Sequence, residues 1–224
     1  MRSVTKSLTA LVLTFCLLLT AGFTALAAGK GAITLFDADT PLFILLPETP
    51  DESVTAAAET LADYLEQITG KRPQTLTNLR GAPDGAAISL GYAEALQGQP
   101  KGSYTLRADA GSPIFYIEAA DARGLFNGVY GFLRRVCGVE IYAADVKRVP
   151  RAEKIEAETP YDFSYTPTLE YADTDWLSPH DLEFALANGL NDLQPHRIGI
   201  RRQGELYLVL PQPYQRHRAR RRAV

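Results

Sequence analysis

DARGLFNGVYGFLRRVCGVEIY, residues 121–142, reads as one helix followed by one short strand. Its glycines are unusually placed. Gly124, Gly128 and Gly131 are spaced four and three residues apart, so they share one helical face. Each mid-helix glycine costs about 1 kcal/mol relative to alanine. Three on one face imply a compensating close approach to a sheet or a second helix. Leu125, Val129, Phe132, Leu133 and Val136 form an apolar stripe beside them. Asp121 is placed to cap the start and Gly138 the end.

Working outward, LFILL at residues 42–46 is a continuous apolar run between Pro41 and Pro47, as expected of a strand buried on both faces. A helix is predicted over residues 52–69. Val54, Ala57, Ala58, Leu61, Leu65 and Ile68 share one face of it, Asp51 or Ser53 caps it, and Gly70 ends it. Residues 71–85 read as a polar loop. Short strands are predicted at 86–90, around the alternating Tyr104 and Leu106, at 114–119 and at 139–142, with a turn at 108–113. The expected fold is α+β: a mixed sheet in the order β-α-β-β-β-α-β with two helices packed on one face.

Two motifs carry a family resemblance. Ala57, Leu61, Tyr64, Leu65, Ile68, Thr69 and Gly70 make up an A-x-x-x-L-x-x-Y-L-x-x-I-T-G signature. Asp121, Arg123, Gly124, Gly128, Phe132, Leu133, Gly138, Val139 and Tyr142 make up the second. In order and spacing they resemble the small N-terminal α/β domain of secreted glycoside hydrolases. These are the bacterial β-N-acetylhexosaminidases, the α-glucuronidases and related uncharacterised secreted proteins. GSYTLR, residues 102–107, resembles the strand that usually follows the first helix. The resemblance spans roughly residues 40–150 and implies that most of these residues are core and caps, identifying a fold rather than performing chemistry.

Residues 151–165, which open with Arg151 and Lys154 among acids, read as a linker, and the resemblance further implies that 166–193 are the start of a (β/α)8 catalytic barrel. Pro167, Leu169 and Tyr171 fit its opening strand, and Ser178-Pro179 fit the cap of a helix at 180–188. Such barrels place active-site residues at the C-terminal ends of strands. Asp173, Asp175 and Trp176 fall there and are the candidate substrate-binding residues, with tryptophan for stacking on sugar and carboxylates for hydroxyls. The competing reading is of surface acids and a packing tryptophan. Ala172 stands where the family often has an arginine. Glycoside hydrolysis generally uses two carboxyl groups about 5–9.5 Å apart, which in these families come from later strands. No catalytic residue is therefore assigned, and the chain itself is expected to be inactive. The alternative is a non-catalytic secreted module that binds carbohydrate or supports a partner.

The ends differ from the middle. Residues 1–27 read as a signal peptide: Arg2 and Lys6, an apolar run over 8–23, then Ala25-Leu26-Ala27 as a cleavage site. The expected location is secreted, extracellular or periplasmic, with no stable membrane insertion after cleavage; an uncleaved anchor is the alternative. Residues 28–193 hold 13 Lys+Arg and 25 Asp+Glu, a net of −12, whereas 194–224 hold eight arginines and one glutamate. The tail is expected to be out-of-frame translation beginning near residues 192–195. The alternative is a genuine basic tail for anionic ligands. No nucleic-acid motif is present, and nucleic acid is not an expected partner; carbohydrate is. After cleavage Cys137 is the one remaining cysteine, expected to be a buried structural thiol. His180, His196 and His217 lack metal-ligand spacing, so no metal or other cofactor is expected.

Overall fold

The computed structural model describes residues 31–80, 84–143, 145–169 and 182–190. Ten strands and three helices follow in the order β1 (Gly31–Phe36), β2 (Leu42–Leu45), α1 (Glu52–Thr69), β3 (Gln74–Leu76), β4 (Ala86–Tyr92), β5 (Tyr104–Ala108), β6 (Ile114–Ala119), α2 (Ala122–Arg135), β7 (Glu140–Ala143), β8 (Val146–Arg148), β9 (Ile155–Thr159), β10 (Tyr161–Tyr165) and α3 (Leu182–Ala187). Six strands form one mixed sheet in the order β10-β5-β6-β4-β2-β3. β3, β2, β4 and β6 run parallel, and β5 and β10 are antiparallel additions on one side. This is a mixed α/β domain, and α1 and α2 pack against each other.

The crossover helices follow from local signals. Asp51 accepts a hydrogen bond from the Val54 N–H at 2.8 Å and starts α1. Gly70, at φ +76°, ends it with its N–H on the Glu66 carbonyl. The buried face of α1 holds Val54, Ala57, Ala58, Leu61, Leu65 and Ile68, the residues predicted from spacing. Asp121 starts α2 by accepting from the Gly124 N–H at 2.7 Å. At the other end, Gly138 adopts φ +70° and the Val139 N–H reaches back to the Leu133 carbonyl at 3.0 Å, which closes the last turn.

The glycine face of α2 lies against the sheet. A methyl group added at Gly128 would stand 2.7 Å from Ile117 Cγ2 on β6. One added at Gly124 would strike the Ser103 carbonyl, and one at Gly131 the ring and hydroxyl of Tyr104. The missing side chains therefore let the helix backbone settle onto β5 and β6. The core beneath it is Tyr104, Leu106, Phe115 and Ile117 from the sheet and Leu125, Val129, Phe132 and Leu133 from the helix, all buried. Phe115 and Phe132 meet edge-on at 5.1 Å between ring centres.

Four stretches differ from the sequence expectation, the first being β1 at Gly31–Phe36, where no strand was expected. Residues 71–85, read as a loop, contain β3. It is only three residues long and exposed at the sheet edge, so it carries no hydrophobic pattern. The strand expected to close the fold at 139–142 forms as β7. It pairs with β8 in a separate hairpin rather than joining the main sheet. Residues 151–165, expected as a linker, instead contain β9 and β10. β9 pairs antiparallel with β1, burying Ile155, Ala157 and Thr159 and exposing Glu156 and Glu158. β10 pairs with β5 along its whole length. The charged alternate residues of β9 resemble linker composition until the pairing partner, more than a hundred residues upstream, is known. Of the expected barrel start, residues 166–169 and 182–190 are described, and α3 occupies the position of the predicted helix.

Candidate functional site

Asp173, Asp175 and Trp176, the predicted substrate-binding residues, lie outside the described residues. What the structure does place is the junction where the chain beyond the sheet returns to the helices. α2 is buried at every position from Gly124 to Leu133. A helix in a two-layer fold would leave its outer stripe exposed. Here the outer side is covered too, and among the described residues part of that cover is α3, with Ala185, Leu186 and Ala187 buried.

α3 has six residues, and isolated helices shorter than about 12 residues are marginal in water. It is held by what it touches. Tyr64, on α1 and only 3% exposed, donates its phenol proton to Glu183 Oε1. Lys147, on β8, approaches Glu183 Oε2 at 3.2 Å and stands 5.3 Å from the Tyr64 ring centre. Tyr130, on α2, meets Tyr64 edge-on at 6.2 Å. At the other end of α3, Arg134 Nη2 donates to the Ala187 carbonyl at 3.1 Å and to Asn188 Oδ1 at 3.2 Å. A cation at a helix C-terminus is favourable. Asn188 Nδ2 donates to the Ile141 carbonyl at 3.3 Å. Four separate elements, α1, α2, β7 and β8, thus supply the polar groups that seat one short helix.

Burial, followed by the hydrogen bond to Glu183, raises the Tyr64 phenol well above its ordinary value. Burial, and then the Glu183 charge, does the same to Tyr130. Both are neutral donors throughout the physiological range, and neither is a base. Cys137 is partly buried, and desolvation pushes its thiol up to about 12, which makes it inert as a nucleophile near neutrality.

A concavity of about 320 Å³ is lined by residues that include Phe36, Asp37, Thr40, Lys71, Arg72 and Gln74. The charges of Asp37, Lys71 and Arg72 are already engaged. Arg72 is bound by Glu59, Asp63 and Glu66. Hydrogen bonds from Thr40, then from the Asp39 N–H, hold the Asp37 carboxyl below its ordinary range. Lys71 lies over the Phe36 ring. Among the described residues no group of three His, Cys, Asp or Glu could hold a metal ion, and no helix is long and apolar enough to cross a membrane.

The sequence marks Tyr64 only as a motif residue and Lys147 only as one of the charges of a linker-like stretch, and it gives Glu183 no role. Their spacing, 83 and 119 residues from Tyr64, leaves no local signal.

The fold defines the class to which this chain is similar. It superposes with a TM-score of 0.50 on a family GH115 4-O-methyl-α-glucuronidase with specificity for decorated arabinogalactans, at 18% identity over 62% of this chain. Matches at lower TM-scores include the family GH20 β-N-acetylhexosaminidase of Streptomyces coelicolor A3(2), 0.43 at 23% identity over 67% of this chain. Another is the family GH20 exo-β-N-acetylglucosaminidase of Vibrio harveyi, 0.41 at 17% over 63%. The chain spans only 19%, 25% and 18% of those three proteins respectively. No protein-family model matches, and no curated protein matches in sequence. The shared feature is therefore a glycoside-hydrolase-like domain fold.

Proposed function

We propose that this chain is the N-terminal, non-catalytic part of a secreted glycoside hydrolase that degrades complex polysaccharide or amino-sugar glycans. In this reading residues 1–27 direct export and the domain over 30–150 is a scaffold. Residues 166–193 open the catalytic barrel, and Asp173, Asp175 and Trp176 contribute to a sugar subsite. The observation that carries the reading is the burial of α2 at every position from Gly124 to Leu133. A helix covered on its outer side by chain that follows the sheet is suited to seating a further domain. The two sequence motifs and the domain fold supply the glycoside hydrolase class.

The chain by itself should not hydrolyse chromogenic β-N-acetylglucosaminides or α-glucuronides. Turnover that persists in an Asp173→Asn/Asp175→Asn variant would contradict the reading. Glycan binding without turnover, lost in that variant, would favour a binding module. Sequencing the gene beyond codon 180 and translating every frame tests the parent enzyme. Barrel-like strands with paired carboxylates in another frame are the expected result. Their absence would remove the enzyme reading and leave the module.

A further inference from the structure

The contacts of α3 meet at one carboxylate. Glu183 faces Tyr64 from α1 and Lys147 from β8, Tyr130 of α2 lies edge-on to Tyr64, and Lys147 is the one cation among them. The apolar seat is short: Ala185, Leu186 and Ala187 are buried, and Leu182 and Phe184 are partly buried against the core. The remaining anchors, Arg134 and Asn188, act at the far end of the helix and mostly on carbonyls. Lys147 and Glu183 keep about a third of their side-chain surface in water, so their attraction is open to screening by salt.

We propose that α3 is a charge-locked clasp. With Glu183 ionised, residues 182–190 stay seated on α1 and α2; with that charge removed, they release as one unit while the six-stranded domain stays folded. The sheet and the α1–α2 pair are closed by caps and apolar packing that do not involve Glu183. Release would free the Tyr64 hydroxyl and Lys147 from Glu183. This inference rests on contacts within the described chain and stands whether or not the glycoside hydrolase reading does.

The test is amide hydrogen exchange on the full chain, comparing wild type with Glu183→Gln and Lys147→Met at neutral pH and at low and high salt. Glutamine keeps an acceptor for the Tyr64 hydroxyl and removes only the charge. The expected result is at least a tenfold loss of protection over 182–190 in both variants, and a smaller loss in wild type at high salt. Protection over Leu61, Leu65, Val129 and Phe132 should be unchanged. Unchanged protection at 182–190 in both variants would overturn the proposal. So would a parallel loss across α1 and α2, because the helix would then not be a separable unit.

Discussion

Gly131 rests directly on the phenol of Tyr104: a methyl group at this helix position would stand against the ring Cζ at 2.8 Å and Cε2 at 2.9 Å. Tyr104 is fixed from its other side by Tyr165 and Phe163 of β10, with ring centres at 5.2 and 6.0 Å. The ring is also buried. Gly131→Ala should therefore destabilise the domain by about 1–3 kcal/mol through overpacking, although alanine favours helix by about 1 kcal/mol. Gly128→Ala, facing Ile117, should behave alike. Urea unfolding midpoints measure both. A midpoint equal to or above wild type would mean that α2 shifts freely on the sheet. Tyr104→Phe should recover part of the Gly131→Ala loss.

Asp121 has two tasks. It caps α2 through Gly124 and also accepts from the Gly102 N–H at 3.1 Å, tying the start of β5 to the helix. Asp121→Ala should cost more than an ordinary cap, on the order of 2–3 kcal/mol. Asp121→Asn should cost less, because it keeps an acceptor. Equal losses in the two variants would show that charge rather than hydrogen bonding matters here.

Stability should fall on the alkaline side. The ordinary values are 10.0 for Tyr64, Tyr92 and Tyr130 and 9.0 for Cys137, and all four are raised in the fold; burial is the first cause in each. Tyr92 and Cys137 are each pushed up to about 12. The folded state therefore holds more protons than the unfolded state above pH 9, and stability declines as pH rises. The contribution is complete below pH 9 and is lost progressively through about pH 12. Thermal melts across that range, with phenolate absorbance followed in parallel, check the sign. A rise in stability with pH would contradict it.

Cys137 should resist alkylation in the folded protein. At pH 8 a thiol held near 12 is almost wholly protonated, and the thiolate is the reacting species. Iodoacetamide should modify it slowly in buffer and quickly in denaturing urea. Equal rates would mean that the thiol is free and exposed.

The α1 and α2 boundaries, their caps and the close approach of the glycine face were legible because each rests on contacts within a few residues or on a strict helical period. Asp51, Gly70, Asp121 and Gly138 act on their own turns. The strands β2, β4, β5 and β6 were legible for the same reason, as runs or alternations of apolar residues.

β9 and β10 were not legible. Their outward residues include Glu156, Glu158, Asp162 and Ser164, and only pairing with β1 and β5 gives them an inner face. The candidate site divides the same way. Asp173, Asp175 and Trp176 were selected by resemblance to a barrel strand, and they fall outside the described residues. The Tyr64–Glu183–Lys147 junction carries no spacing signal, because its members are brought together by three elements distant in the chain. The sequence by itself determined the helices and strands whose causes are local: caps, periodicity and missing side chains. The tertiary structure alone decided which strands share a sheet and which polar groups meet on the helices, because these depend on contacts with distant partners.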